Sequence, residues 1–285
     1  MKPHLQRSQR VALSGLLPHP PVVLPEVGGE QSARCRATTL ACERFAQLFV
    51  SSRPRRLILT SPHAPRHCEA FGLSSGERLE GDLGEFSAER VRIALPADEE
   101  LVAALSDAAQ REGIPCWRFS GQALDHGSVV PLSFLTRAGW RGPTTVISLP
   151  WYPQASQLAG FGRALAHCLE RLDGPSALVA SGDMSHRVLP GAPAGFHPRA
   201  AAFDERVRAS VEAGALDDLA RLDPRWRGQV AEDVVDSAAL VIAALPTQRR
   251  GTRVLSYEHP FGVGYLVAVF HQALSGPRDV AGDLA

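Results

Sequence analysis

Apolar residues in this chain gather into short runs, and each run ends in a loop dense in proline, glycine and small polar residues. Residues 11–17 run into PHPP, 57–60 into SPHAP, 145–149 into PWYP, and 176–180 into SGDMSH. Short apolar runs bounded in this way predict buried strands. Between and after them, apolar positions recur at helical spacing over 32–50, 98–112, 156–172, 199–213 and 228–245, which predicts five helices. The helix from Asp98 opens after Pro96 with acidic residues in its first turn and stops before Gly113, both good boundary signals. Two further runs, 253–257 and 263–270, joined by EHPFG, predict an antiparallel pair at the end.

Strands alternating with helices of this length predict an α/β fold: a central mixed sheet with helices on both faces and a cleft at the carboxyl ends of the strands. Among 285 residues there is no repeat and no Gly/Ser/Pro-rich linker, so one domain over 1–285 is expected. The polar, Gly-rich stretch 73–90 is read as an excursion, and the ends 1–10 and 275–285 as flexible.

Charge narrows the function. Thirty basic and thirty acidic residues cancel, and Lys2 is the only lysine. A nucleic-acid or anionic-membrane partner would call for a basic excess, so neither is expected. The longest apolar runs, 238–246 and 263–270, fall well short of the ~20 residues of a membrane span. The amino terminus lacks the cleavage pattern of a secretory signal. The five cysteines are scattered, without a CxxC pair, as reduced thiols of a cytoplasmic protein would be. No P-loop, GxGxxG after a strand, GxSxG elbow or HExxH is present.

What remains is where the polar residues sit. Expected strand ends carry His19, His63, Trp151, and Asp183 with His186. His19 in LPHPP and His63 in SPHAP repeat one arrangement, an imidazole on a proline-stiffened loop. A ligand so held loses little entropy on binding metal; the alternative is a histidine in a surface turn. His126 in LDHGSVVPLSFL has Asp125 beside it to orient the ring, Gly127 to allow an unusual backbone, and Ser128 as a helix cap. Asp183 and His186 are three apart, a spacing that can pair carboxylate and imidazole as a general base, or cap a helix beside a surface histidine. Candidate third ligands cluster in VAEDVVDSAAL. On one continuous helix Glu232 and Asp236 share a face and Asp233 is rotated away, while a solvated acidic face is the alternative. Trp151, Tyr152, Phe261 and Tyr265 are candidates for a stacking wall, or core.

Taken together, LPHPP, SPHAP, LDHGSVVPLSFL and SGDMSH resemble the class III extradiol ring-opening dioxygenases, typified by the protocatechuate dioxygenase catalytic subunit, and their Memo-like relatives. The resemblance runs from about residue 11 to 270, closing on GVGYLVAVF. It implies His19 and His63 as ligands of a non-haem iron(II), with zinc or manganese suited to the same donors. It also implies Glu232 as third ligand, His186 as the base beside the metal with Asp183 as its partner, and His126 as the second acid/base histidine. Memo-like relatives place a Cys near the third-ligand region, where this chain has none. The implied activity is O2-dependent ring opening of a catechol- or aminophenol-type aromatic by a homo-oligomer. The alternatives on this scaffold are a zinc-dependent hydrolase and a Memo-like metal-binding protein.

Overall fold

The computed structural model describes residues 10–273. The ends expected to be flexible lie outside the described residues, Arg10 apart. In chain order the strands are β1 (Val11–Leu17), β2 (Arg56–Ser61), β3 (Phe71–Ser74), β4 (Arg78–Leu83), β5 (Ala88–Pro96), β6 (Cys116–Phe119), β7 (Thr144–Ser148), β8 (Ser176–Ser181), β9 (Arg253–Glu258) and β10 (Tyr265–Gln272). The helices are α1 (Pro25–Gly28), α2 (Arg36–Ser51), α3 (Glu99–Arg111), α4 (His126–Arg137), α5 (Ala155–Arg171), α6 (Ala200–Glu212), α7 (Pro224–Val230) and α8 (Val234–Ala243).

The strands form an eight-stranded mixed sheet in the order β6-β3-β7-β2-β8-β1-β10-β9 and a separate pair, β4-β5. The four apolar runs that end in polar loops are its four adjacent central strands, β7, β2, β8 and β1, all parallel. Every residue of these strands is buried. That explains why they read as unbroken apolar runs rather than as alternation: both faces are covered. Successive side chains feed two cores. Ile58, Ile147 and Leu178 point to one, while Leu57, Leu59, Val146 and Val179 point to the other. The first core is closed by α3, α5, α6 and α8, the second by α2, α4 and the β4-β5 pair. The last two runs pair antiparallel as β9 and β10, with β10 antiparallel to β1.

One expectation gains detail and one needs correction. The excursion 73–90 is ordered: it holds β4 and the start of β5, in which Leu79, Leu83, Val91 and Ile93 are buried in alternation with exposed polar residues. The helix expected over 228–245 is two helices. α7 ends at Val230, Ala231 adopts the left-handed conformation (φ 53°), and α8 starts only at Val234. The face-sharing argument for Glu232 and Asp236 therefore fails, because residues 231–233 are not helical.

Candidate metal centre

The loops that leave the carboxyl ends of β1, β2 and β8 meet over the sheet. Proline on both sides of His19 and of His63 holds each imidazole on a stiff turn. The His19 backbone N–H donates to Asp183 Oδ1 at 2.9 Å, tying the β1 loop to the β8 loop. Asp183 in turn gives its N–H to Asp233 Oδ1 (2.7 Å) and receives that of Asp233 on its carbonyl (3.2 Å). This brings the break between α7 and α8 onto the end of β8. Gly182 permits the approach, since a Cβ there would stand 2.4 Å from Val234 Cα.

Three ligand-type atoms converge as a result. His19 Nε2 and His63 Nε2 are 3.1 Å apart, and Asp233 Oδ2 lies 3.5 Å from the first and 3.3 Å from the second. Donors ~2.1 Å from one metal ion are about 3.0 Å apart on an octahedral face and about 3.4 Å apart on a tetrahedral one. Two imidazoles and a carboxylate at these separations fit a divalent metal in the facial arrangement that leaves other positions open. His126 is beside them: its ring lies 4.3 Å from that of His63, and ligand atoms of His19, His63 and His126 all fall within 4.8 Å of one another.

Glu232 is elsewhere. Its buried carboxylate accepts from Arg227 Nε (2.5 Å) and from the Val235 N–H (2.8 Å), so it caps α8 and clamps α7, while Asp236 pairs with Arg227 Nη2 at 2.8 Å. Of the three acidic candidates, the structure brings Asp233 to the histidines. Nor does Asp183 orient His186. The ring Nδ1 of His186 bonds to the Ala231 carbonyl at 2.7 Å, an acceptor that fixes the proton on Nδ1 and leaves Nε2 its lone pair. At α4, Asp125 rather than Ser128 is the cap: its Oδ1 accepts the Ser128 N–H, and the Ser128 hydroxyl donates to Oδ2. Gly127 lies within the helix, and its role is space, because a Cβ would stand 2.7 Å from Ser61 Oγ and 3.1 Å from His63 Cδ2.

Electrostatics divide the three histidines. Burial alone would depress His19, but Asp183 and Asp233 outweigh it and its imidazole is pushed up to about 9. A metal must displace that proton, so binding releases protons. Burial, His19 and His63 push His126 down to about 4, so it is neutral at pH 7. Burial works to raise Asp233, yet the neighbouring imidazoles hold it well below the usual carboxylate range. Asp183, fully enclosed, is raised chiefly by burial.

Several contributors carry signals that the sequence reading left unused. Ser61 and Ser181 are the last residues of β2 and β8. The hydroxyl of Ser61 donates to Asp125 (2.7 Å) and that of Ser181 to the Gly127 carbonyl (2.6 Å), so both tie strand ends to the start of α4. Phe86, in the turn between β4 and β5, sets its ring edge-on to His126 at 5.5 Å. Arg66, three residues after His63, donates to the carbonyls of Leu149 and Pro150, joining the β2 and β7 loops, and stacks on Trp151. Of the expected stacking wall, Trp151 and Tyr152 are exposed, Phe261 lies under Arg34, and Tyr265 is buried.

Comparison with known proteins adds an independent line. Residues 14–268 match the family model for the catalytic LigB subunit of aromatic ring-opening dioxygenase. The chain is similar to Protein CA_C1420 of Clostridium acetobutylicum, with 27% identity over 260 residues covering 88% of this chain and 55% of that protein. It thus spans about half the length of the curated relative it matches. Among solved structures it is similar in fold to the uncharacterized protein JW3007 from Escherichia coli K12, with a TM-score of 0.63, 18% identity, and coverage of 90% of this chain and 98% of that one. No described helix is long and apolar enough to cross a membrane.

Proposed function

The chain belongs to the LigB family of aromatic ring-opening dioxygenase catalytic subunits, and from that premise we propose that it is an extradiol-type dioxygenase acting on a catechol- or aminophenol-type ring. The observation that supports this most directly is the convergence of His19 Nε2, His63 Nε2 and Asp233 Oδ2 within 3.1–3.5 Å, where the loops after the parallel strands β1 and β2 meet the break between α7 and α8. In this reading those three residues would hold iron(II), which when bound would supply the Lewis-acid and oxygen-activating chemistry that ring opening of an aromatic diol needs.

The other residues follow from their hydrogen bonds and ionisation. His186, its Nδ1–H held by the Ala231 carbonyl, presents Nε2 as a proton acceptor for a substrate hydroxyl. His126, neutral at pH 7, serves as a hydrogen-bond donor rather than as an imidazolium acid. Asp183 acts through others: it fixes the backbone of His19 and the loop of Asp233. Phe86 sets its ring edge-on against one side of His126.

The test is oxygen uptake by protein loaded anaerobically with iron(II) and given a panel of catechols and 2-aminophenols in air-saturated buffer. Substrate-dependent uptake with a coloured ring-opened product is expected. Bound iron with no uptake across the panel would overturn the proposal.

A further inference from the structure

The sequence of α4, HGSVVPLSFLTR, places Pro131 inside the helix, four residues after Gly127. Proline has no N–H, so the helical bond that residue 131 would give to the Gly127 carbonyl is not made, and the bulk of the ring pushes on that same carbonyl. The Gly127 carbonyl is buried and takes another donor instead: Ser181 Oγ, at 2.6 Å. The same hydroxyl oxygen lies 2.9 Å from Nδ1 of His19.

A serine hydroxyl has one hydrogen to give. Two oxygens 2.6 Å apart away from water need that hydrogen between them, since otherwise their lone pairs face each other. The Ser181 hydrogen therefore goes to Gly127, and Ser181 accepts from His19. Nδ1 of His19 must carry a proton to supply that bond. A neutral His19 is thereby left with its lone pair on Nε2, the atom that faces His63 and Asp233.

We infer that Pro131 and Ser181 are positioning residues for His19: the proline frees a carbonyl, and the serine uses it to select the ring tautomer that ligates metal. This rests on the reading of His19 as a metal ligand, and it assigns a task to a proline that is unfavourable for the helix containing it. Partners that fix the second nitrogen of a metal-bound histidine are worth about 10–100-fold in metal affinity.

The experiment is competition of zinc(II) between the full chain and a chromophoric chelator, alongside thermal unfolding of the metal-free proteins. Ser181→Ala should weaken zinc about 10–100-fold. Pro131→Ala restores an N–H that competes for the Gly127 carbonyl. It should weaken zinc several-fold while the unfolding temperature holds or rises, because alanine suits a helix interior far better than proline. A purely structural proline would not give weaker binding with undiminished stability. Unchanged affinity in Ser181→Ala overturns the relay, and unchanged affinity in Pro131→Ala overturns the part given to the proline. Should Ser181→Ala fail to fold, nitrogen NMR of the zinc-loaded wild-type protein decides the matter: a protonated Nδ1 on His19 is expected, and a proton-free Nδ1 overturns the inference. Unchanged affinity in His19→Ala would instead sink the metal-ligand reading itself.

Discussion

Two ways of presenting a ligand meet in this cleft. His19 and His63 stand on loops that leave parallel strands directly and are stiffened by proline on both sides, so chain-local features place them. Asp233 stands in a break between helices that is set by remote partners: Asp183 across the break, Arg227 and Glu232 clamping its flanks, and Gly182 making room for Val234. Local stiffness holds one side of the centre, and a network of long-range contacts holds the other. The two sides should therefore fail differently when disturbed.

The largest effect is expected on the histidine side. The ~10–16 kcal/mol released when zinc fills a four-ligand site is about 3 kcal/mol per ligand, or more than a hundredfold in affinity. His19→Ala and His63→Ala should each lose at least that much zinc affinity by chelator competition. The unfolding temperature of the metal-free protein should fall more for His19, whose side chain is 2% exposed, than for His63 at 38%. Equal affinity to wild type in either variant would remove that residue from the centre.

On the other side, neighbouring carboxylates should separate by kind of damage. Asp233→Asn should cost zinc affinity on the scale of a lost ligand; the amide keeps the acceptor for the Asp183 N–H, so the loop holds, while the metal-free fold loses the pairing of this carboxylate with His19. Glu232→Gln leaves Arg227 with only Asp236. It should lower stability by a few kcal/mol and weaken zinc only about tenfold, through the loosened break. The reverse ranking, with Glu232→Gln the more harmful to binding, would restore Glu232 as the ligand and break the comparison.

The same division explains what could be read from the chain. The central strands are legible because burial on both faces leaves unbroken apolar runs, and the proline-flanked histidines announce themselves beside them. The acidic side is not legible in that way. Nothing in VAEDVVDSAAL signals that the helix stops at Val230, because Ala231 is a good helix former held left-handed by contacts from the 182–186 loop. A helical wheel groups Glu232 with Asp236 and turns Asp233 away, and the family resemblance implies Glu232, so neither points to the residue that the break carries to the histidines. β4 and β5 are hard to read from the chain for a plainer reason: their apolar residues alternate with charged ones, so no unbroken apolar run marks them.

The smallest effect sharpens the comparison by touching one side only. Asp204 is fully buried behind the break, where it accepts the Ser185 N–H (2.9 Å) and the Tyr257 hydroxyl (2.8 Å), while Ser185 Oγ bonds the Val230 carbonyl. Burial is the main cause that pushes its carboxyl up to about 7, against the usual 3.8. The folded protein therefore holds this proton more tightly than the unfolded chain between about pH 4 and 7. Stability from this group is full at the acid end of that window, falls as pH rises through it, and is gone once Asp204 is ionised in both states. Between about pH 5 and 8 the loss is about 2–3 kcal/mol, or several degrees in unfolding temperature. Asp204→Asn keeps an oxygen for Ser185 and cannot ionise, so its unfolding temperature should fall less over that range than the wild type's. Its zinc affinity should remain close to wild type, because the asparagine keeps the acceptor for the Ser185 N–H and so leaves the break supported. Parallel pH profiles for the two proteins would show that Asp204 ionises normally and that the support behind the break does not depend on its proton.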